Sequence, residues 1–157
     1  MRRFLSYSLL TAASVALDQW IKALVEAGLP FQQPVELIPF LALYRTYNTG
    51  VAFSMLSWMG GMGLIVLSLA VVGFVAWLAS RTTAGQVASR IGFALIVGGA
   101  IGNLIDRLQH GHVIDFIQWY WRDHYWPAFN VADAAIVGGA VGIALFGLLQ
   151  KKPAGAA

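Results

Sequence analysis

Residues 46–80 contain no aspartate, glutamate, lysine or arginine. A stretch that long without charge has few folds open to it in water. Its second part, Gly60 to Ala79, is long enough to cross a hydrocarbon core about 30 Å thick as a single helix. Three further uncharged runs occupy residues 4–17, 91–105 and 134–150. Weakly polar neighbours extend each to spanning length, as Trp20, Ile21 and Val25 carry the first on to Gly28. The expected architecture is a mainly α-helical membrane protein with four transmembrane helices, near 4–27, 60–79, 89–107 and 132–150. They form a single domain over residues 1–152, followed by a disordered tail at 153–157. Composition agrees: 59% of the 157 residues are hydrophobic and 11% charged, against roughly a quarter charged in soluble domains. That balance excludes a disordered chain and a water-soluble enzyme. Cysteine is absent and there are only three histidines, so disulfides, thiolate chemistry and a zinc centre are not expected, nor is any cofactor.

The placement of charge gives an orientation. Of ten basic residues, Arg2, Arg3, Arg81, Arg90, Lys151 and Lys152 lie at the termini or in one short polar break, where no acid occurs. The other four bases share the rest of the chain with all seven acids. A basic excess distributed in this way is a membrane protein's charge map, and no nucleic-acid partner is expected. An even number of spans puts both termini on one side, which the positive-inside rule makes the cytoplasm, together with the 81–90 loop. A competing reading takes Arg2-Arg3 and the following apolar run as a cleavable secretory signal, which would leave three spans.

Two segments remain outside the membrane, about 28–59 and 108–131. The first holds Pro30, Pro34 and Pro39 and then reads Phe40 to Tyr47 without a helical period, so short strands are expected there. The second packs Trp119, Tyr120, Trp121, Tyr125 and Trp126 together, the composition of an interfacial belt lying on the membrane surface.

An ionisable side chain inside a span is expensive and marks a candidate site. Asp18 and Lys22 share one face of the first helix, in a spacing that fits a buried ion pair fixing helix packing. Asn103, Asp106 and Arg107 share a face of the third, just beyond Gly98, Gly99 and Gly102, whose small side chains allow close helix approach. Two carboxylates differ from these. Asp133 stands at the mouth of the fourth helix, where Asn130 and Asp133 have the spacing of a capping box. Asp115 lies between Ile114 and Phe116, where an acid has no evident structural use. Two acids at the membrane–water boundary do not readily ionise together, so one holds a proton while the other draws one from water. This is aspartic-protease chemistry, and which acid starts protonated is open, since a coupled pair titrates as a unit. Apolar flanks favour a proton on Asp115, and the helix dipole an ionised Asp133.

The segments Asp18–Lys22 (DQWIK), Asn48–Phe53 (NTGVAF), Gly99–Arg107 (GAIGNLIDR), Val113–Phe116 (VIDF) and Phe129–Asp133 (FNVAD) together resemble the ordered motif set of signal peptidase II, the bacterial prolipoprotein signal peptidase. The resemblance runs from the first span to the fourth. It implies a four-helix aspartyl endopeptidase of the bacterial inner membrane, with a small extracytoplasmic β-cradle, a short periplasmic-side helix and the active site at the outer face. It implies a diacylglyceryl-modified prolipoprotein as substrate, cleaved just before the lipidated cysteine, with membrane lipid as the medium and globomycin-type peptides as inhibitors. Asp115 and Asp133 correspond to the catalytic pair. Asn103, Asp106, Arg107 and Asn130 correspond to positions that shape the site and contact substrate or inhibitor. Asp18, Lys22, Asn48 and Gly50 fall on other motif positions. Ala134 departs from the serine that many members carry, which puts one local hydrogen bond in doubt. A monomer is expected. Two rival readings are a small proton-coupled carrier, in which the acids form a relay, and a non-catalytic assembly factor, in which Asp115 and Asp133 are dispensable.

Overall fold

Helices form where the uncharged runs lie. In the computed structural model, which describes residues 2–50, 56–83 and 85–149, they are α1 (Arg2–Gly28), α2 (Gly60–Ser80), α3 (Val87–His110) and α4 (Val131–Leu149). The expected tail, Lys151, Lys152 and the Val51–Phe53 part of the second motif lie outside the described residues. Among those residues, three helices are long and apolar enough to cross a membrane: α2, α3 and α4 as far as Leu148. The expected fourth, α1, is the longest at 27 residues, but Asp18, Lys22 and Glu26 interrupt its apolar character and lower its hydropathy.

The bundle is organised around α3, against which α1, α2 and α4 all pack. The small residues expected to permit this do so. A Cβ on Gly99 would run into the backbone carbonyl of Ala132 on α4, and one on Gly102 would come within 2.5 Å of the Asp18 carboxylate on α1. Close approach at these two positions lets polar groups on α1 and α4 meet inside the bundle.

The two outer segments meet in one antiparallel sheet of order β1-β2-β3-β4: β1 (Pro34–Ile38), β2 (Leu41–Asn48), β3 (Val113–Trp121) and β4 (His124–Tyr125). β2 is the strand expected at 40–47. It turns out of β1 through Pro39-Phe40, with Phe40 at φ 77°. β3 is a strand where the sequence pattern predicts only an aromatic belt and no regular element. Val113 to Phe116 are buried in sequence, because bundle and cavity cover both faces of the strand, so its residues show no alternation. The aromatic cluster of the belt falls on its exposed far end and on β4. The register sets Thr46 opposite Asp115 and Asn48 opposite Val113, which puts Asn48 and Asp115 on the same face. The expected short helix is not found among the described residues. A single 3-10 turn, Ser57–Met59, precedes α2, and Gly60 at φ 68° breaks the helical path between them.

Burial is inverted relative to a water-soluble protein. The largest fully buried side chains are Lys22, Asn130, Asp18 and Asp106, whereas Trp20, Leu24, Leu69, Phe74, Val137 and Leu145 are exposed. A small apolar cluster of Val25, Ile114 and Phe116 packs beneath the sheet.

Candidate active site

Asp133 owes its place to the start of α4. Its backbone N–H donates to Asn130 Oδ1 at 2.9 Å, and the Asn130 N–H donates back to Asp133 Oδ2 at 3.1 Å. The capping box is therefore real. It uses only one carboxylate oxygen, and Oδ1 accepts a bond from Asn103 Nδ2 at 2.8 Å. Asp115 is delivered by β3. Its Oδ2 accepts from Asn48 Nδ2 at 3.1 Å, across the β2–β3 ladder, and its Oδ1 from Asn130 Nδ2 at 2.8 Å. One asparagine thus spans the two acids, its amide nitrogen on Asp115 and its oxygen on the backbone of Asp133. Burial, and then the neighbouring charge of Asp133, push the Asp115 carboxyl up to about 7, against the opposing effect of the Asn48 and Asn130 hydrogen bonds.

Beneath the acids lies an ionic cluster. Lys22 Nζ makes three contacts: Asp18 at 2.9 Å, Asp106 at 2.7 Å and Asn103 Oδ1 at 3.0 Å. The Asp18–Lys22 pair expected from helical spacing is thus a triad, with Asp106 as a second carboxylate partner. Each carboxylate also pins the element that carries one of the upper acids. Asp18 Oδ1 accepts the Ala132 N–H at the start of α4 (2.9 Å), and Asp106 Oδ2 accepts the Ile114 N–H beside Asp115 (3.1 Å). Arg107 donates to the carbonyls of Gly50 at 2.7 Å and Asn103 at 3.2 Å, and Asn48 Oδ1 accepts the Gly50 N–H. All ten residues singled out from the sequence therefore belong to one connected network.

That network has a member the sequence reading missed. Gln19 Nε2 donates to Asp106 Oδ1 at 2.7 Å and to the Gly102 carbonyl at 3.2 Å, holding the carboxylate that anchors β3. Its position inside the first motif, three residues before Lys22 on the same helix face, was the available signal.

Asp115 and Asp133 both line a cavity of about 860 Å³ whose remaining wall is mainly apolar, from Leu67 and Val71 on α2 to Trp126 and Phe129 on the loop before α4. Ala134 presents a methyl group to it. Because α2 and α4 both lean on α3, the cavity extends between them from the polar network towards exposed apolar side chains such as Val137. Two carboxylates with hydrogen-bonding orienters, beside an apolar slot, suit acid–base hydrolysis of a bond in an amphipathic chain.

The model of the family described as signal peptidase (SPase) II matches residues 10–149. The chain belongs to the signal peptidase II family. It is accordingly a peptidase. It is 58% identical over 140 residues to a lipoprotein signal peptidase of Mesorhizobium japonicum, covering 89% of this chain and 83% of that protein. Over 152 residues it is 56% identical to one of Xanthomonas axonopodis pv. citri, covering 94% and 88% of the two chains. Among solved structures, a bacterial membrane enzyme determined by the in meso method at 2.3 Å resolution superposes with a TM-score of 0.83 at 26% identity, over 97% of this chain and 94% of the other. A second, at 1.9 Å resolution, gives a TM-score of 0.79 at the same identity, over 94% of each chain.

Proposed function

We propose that this member of the signal peptidase II family removes the signal peptide from diacylglyceryl-modified prolipoproteins by aspartyl catalysis, with Asp115 and Asp133 as the catalytic pair and cleavage before the lipidated cysteine. The observation that carries the proposal is the pairing itself. Two carboxylates on different elements, bridged by Asn130, line one cavity beside an apolar slot. Asp115, held up to about 7, carries the proton at the start. Asp133 deprotonates a water that attacks the scissile carbonyl, while Asp115 protonates the carbonyl oxygen. The proton taken by Asp133 then goes to the leaving amine as the C–N bond breaks, and Asp115 takes back a proton from the gem-diol, which restores both acids to their starting state. The lipid chains of the substrate stay in the bilayer or the slot, so membrane anchoring supplies much of the binding.

Asn103, Asn130 and Asn48 orient the acids. Asp18, Lys22 and Asp106 hold the elements that carry them, and Arg107 with Gly50 fixes the cavity rim, which also receives globomycin-type inhibitors. The enzyme acts as a monomer of four spans, α1 included, in a single domain over residues 1–152 of the bacterial inner membrane. Its termini are cytoplasmic and its site faces outward. Against a proton relay stands the clustering of Asp18, Asp106, Asp115 and Asp133 at one end of the bundle rather than in steps across it.

The test is incubation of the purified chain with a diacylglyceryl-modified prolipoprotein, read as a mobility shift. Wild type is expected to cleave. Asp115→Asn and Asp133→Asn are each expected to lose roughly 10²–10⁴ in rate while remaining folded, the usual contribution of an acid–base group. Turnover within about tenfold of wild type by either variant removes that aspartate from the mechanism.

A further inference from the structure

A second cavity, of about 200 Å³, lies between α1, α2 and α3 at the other end of the bundle. It starts at Arg90, in the first turn of α3, about 20 Å along the helix from Asn103 at 1.5 Å per residue. Its wall changes character with depth. Arg90, Tyr7 and Ser80 stand at one end, and Ala76, Ala94 and Val97 continue it towards the middle of the bundle. Ala76 and Ser80 are exposed on the bundle's flank, so the slot opens sideways as well as at its end.

Arg90 is fixed in place, and among the described residues it has no anionic partner. Its Nη2 donates to the Thr82 carbonyl at 2.7 Å, and its guanidinium lies 5.6 Å from the centre of the Tyr7 ring. Its Nε is sealed from water with no hydrogen-bond partner. The ion pairs among the described residues all involve Lys22 at the opposite end. No acidic residue occurs in the helix segments around the slot, residues 2–17 of α1, 60–80 of α2 and 87–98 of α3, whereas Arg81 joins Arg90 at this end. A guanidinium held at the mouth of an apolar slot open to lipid, in an acid-free region, is complementary to one kind of molecule. That molecule has a phosphate at one end and a hydrocarbon chain at the other.

We infer that this slot binds an anionic glycerophospholipid, its phosphodiester on the Arg90 guanidinium beside Tyr7 and Ser80 and one acyl chain against Ala76, Ala94 and Val97. Arginine suits the role because its planar fork engages two phosphate oxygens at once and stays charged at every physiological pH. The small side chains suit it because alanines on two facing helices leave a groove where larger residues would close it. From Arg90 to Val97 the groove runs about 10 Å along α3, enough to bury the upper part of an acyl chain. The site is separate from the aspartate cavity, and its occupancy does not depend on which leaflet this end of the bundle faces.

The experiment uses the full chain, delipidated in a neutral detergent, with phosphatidylglycerol, phosphatidylcholine of the same chains, or glycerol phosphate added. Binding is counted by native mass spectrometry and stability by melting temperature. Wild type is expected to retain one phosphatidylglycerol and to melt higher with it, and to do neither with phosphatidylcholine or glycerol phosphate. Arg90→Gln is expected to weaken that retention at least tenfold while prolipoprotein cleavage in lipid-free detergent is unchanged. Ser80→Leu, which obstructs the mouth and leaves Arg90 in place, is expected to weaken it as well, and keeps the test open if Arg90→Gln does not fold. Equal retention of phosphatidylcholine overturns the inference, as does full phosphatidylglycerol binding by either variant. Saturation by glycerol phosphate alone reduces the site to one for a free anion and overturns it too.

Discussion

Asn130 joins two functions in one side chain. As the cap of α4 it satisfies the Asp133 N–H, and with its amide nitrogen it reaches Asp115, so the geometry of the pair follows from the geometry of a helix start. The proposed mechanism has the pair share one proton, and the surrounding charge is consistent with that: Lys22 is already engaged by Asp18 and Asp106, and Arg107 by backbone carbonyls. Asp115 gives this a measurable form. The folded chain holds its proton up to about pH 7, whereas the reference value for a free aspartate is 3.8. Between those values the folded state binds more protons than the unfolded state, so stability falls as pH rises through that window and levels off above it. Melting temperature in detergent is expected to decline between about pH 4 and 7 in wild type, and markedly less in Asp115→Asn. Cleavage is expected to fall as pH rises through about 7, where the pair loses its proton. A wild-type melting curve as flat as that of Asp115→Asn would contradict the burial of a titrating acid at this position.

Between elements, the ionic triad works as a clamp. Asp18 holds the start of α4, which carries Asp133, Asp106 holds the start of β3, which carries Asp115, and Lys22 draws the two carboxylates together. Removing members of the clamp has unequal consequences. Asp18→Ala leaves Lys22 paired with Asp106 and Asn103, so its chief loss is the bond to the Ala132 N–H, costing about 1 kcal/mol. Lys22→Met buries two carboxylates without their cation and is expected to cost about 3–5 kcal/mol. Adding Asp18→Asn to Lys22→Met removes one stranded charge and should recover part of that loss. Melting temperature and cleavage rate of these variants, measured in the same detergent, are expected to move together. A variant that melts like wild type yet does not cleave would give the clamp a chemical role instead. Helices α2, α3 and α4 were legible in the sequence because absence of charge is a local property, and Asp18–Lys22 because four residues is one helical turn. Asp106 as the second partner of Lys22 was not, since it lies on another helix far along the chain. β3 was hidden for a related reason: Val113 to Phe116 are buried on both faces, so neither helical nor strand periodicity marks them.

For the molecule as a whole, apolar side chains face outward and the charged network sits inside, which makes hydrocarbon the natural solvent of the helices. The number of crossings then fixes where the network lies. Three helices meet the composition of a span, and α1 decides whether the total is three or four. At 27 residues and 1.5 Å per residue, α1 extends about 40 Å, more than the roughly 30 Å of a hydrocarbon core. Its Asp18 and Lys22 do not bar it, because they are 0% and 2% exposed and pair inside the bundle rather than facing lipid. With the four crossings proposed above, the sheet and both aspartates lie on the side opposite Arg81 and Arg90, and the positive-inside rule predicts that the Arg81 and Arg90 side is the cytoplasmic one. Reporter fusions after residue 85 and after residue 152 are therefore expected to read cytoplasmic, and one near Phe31 extracytoplasmic. If α1 lay on the surface instead of crossing, the Phe31 fusion would stay extracytoplasmic while a tag at the N-terminus moved to that side as well. A cytoplasmic reading near Phe31 would invert the protein and put the aspartate pair on the side where exported prolipoproteins are not found.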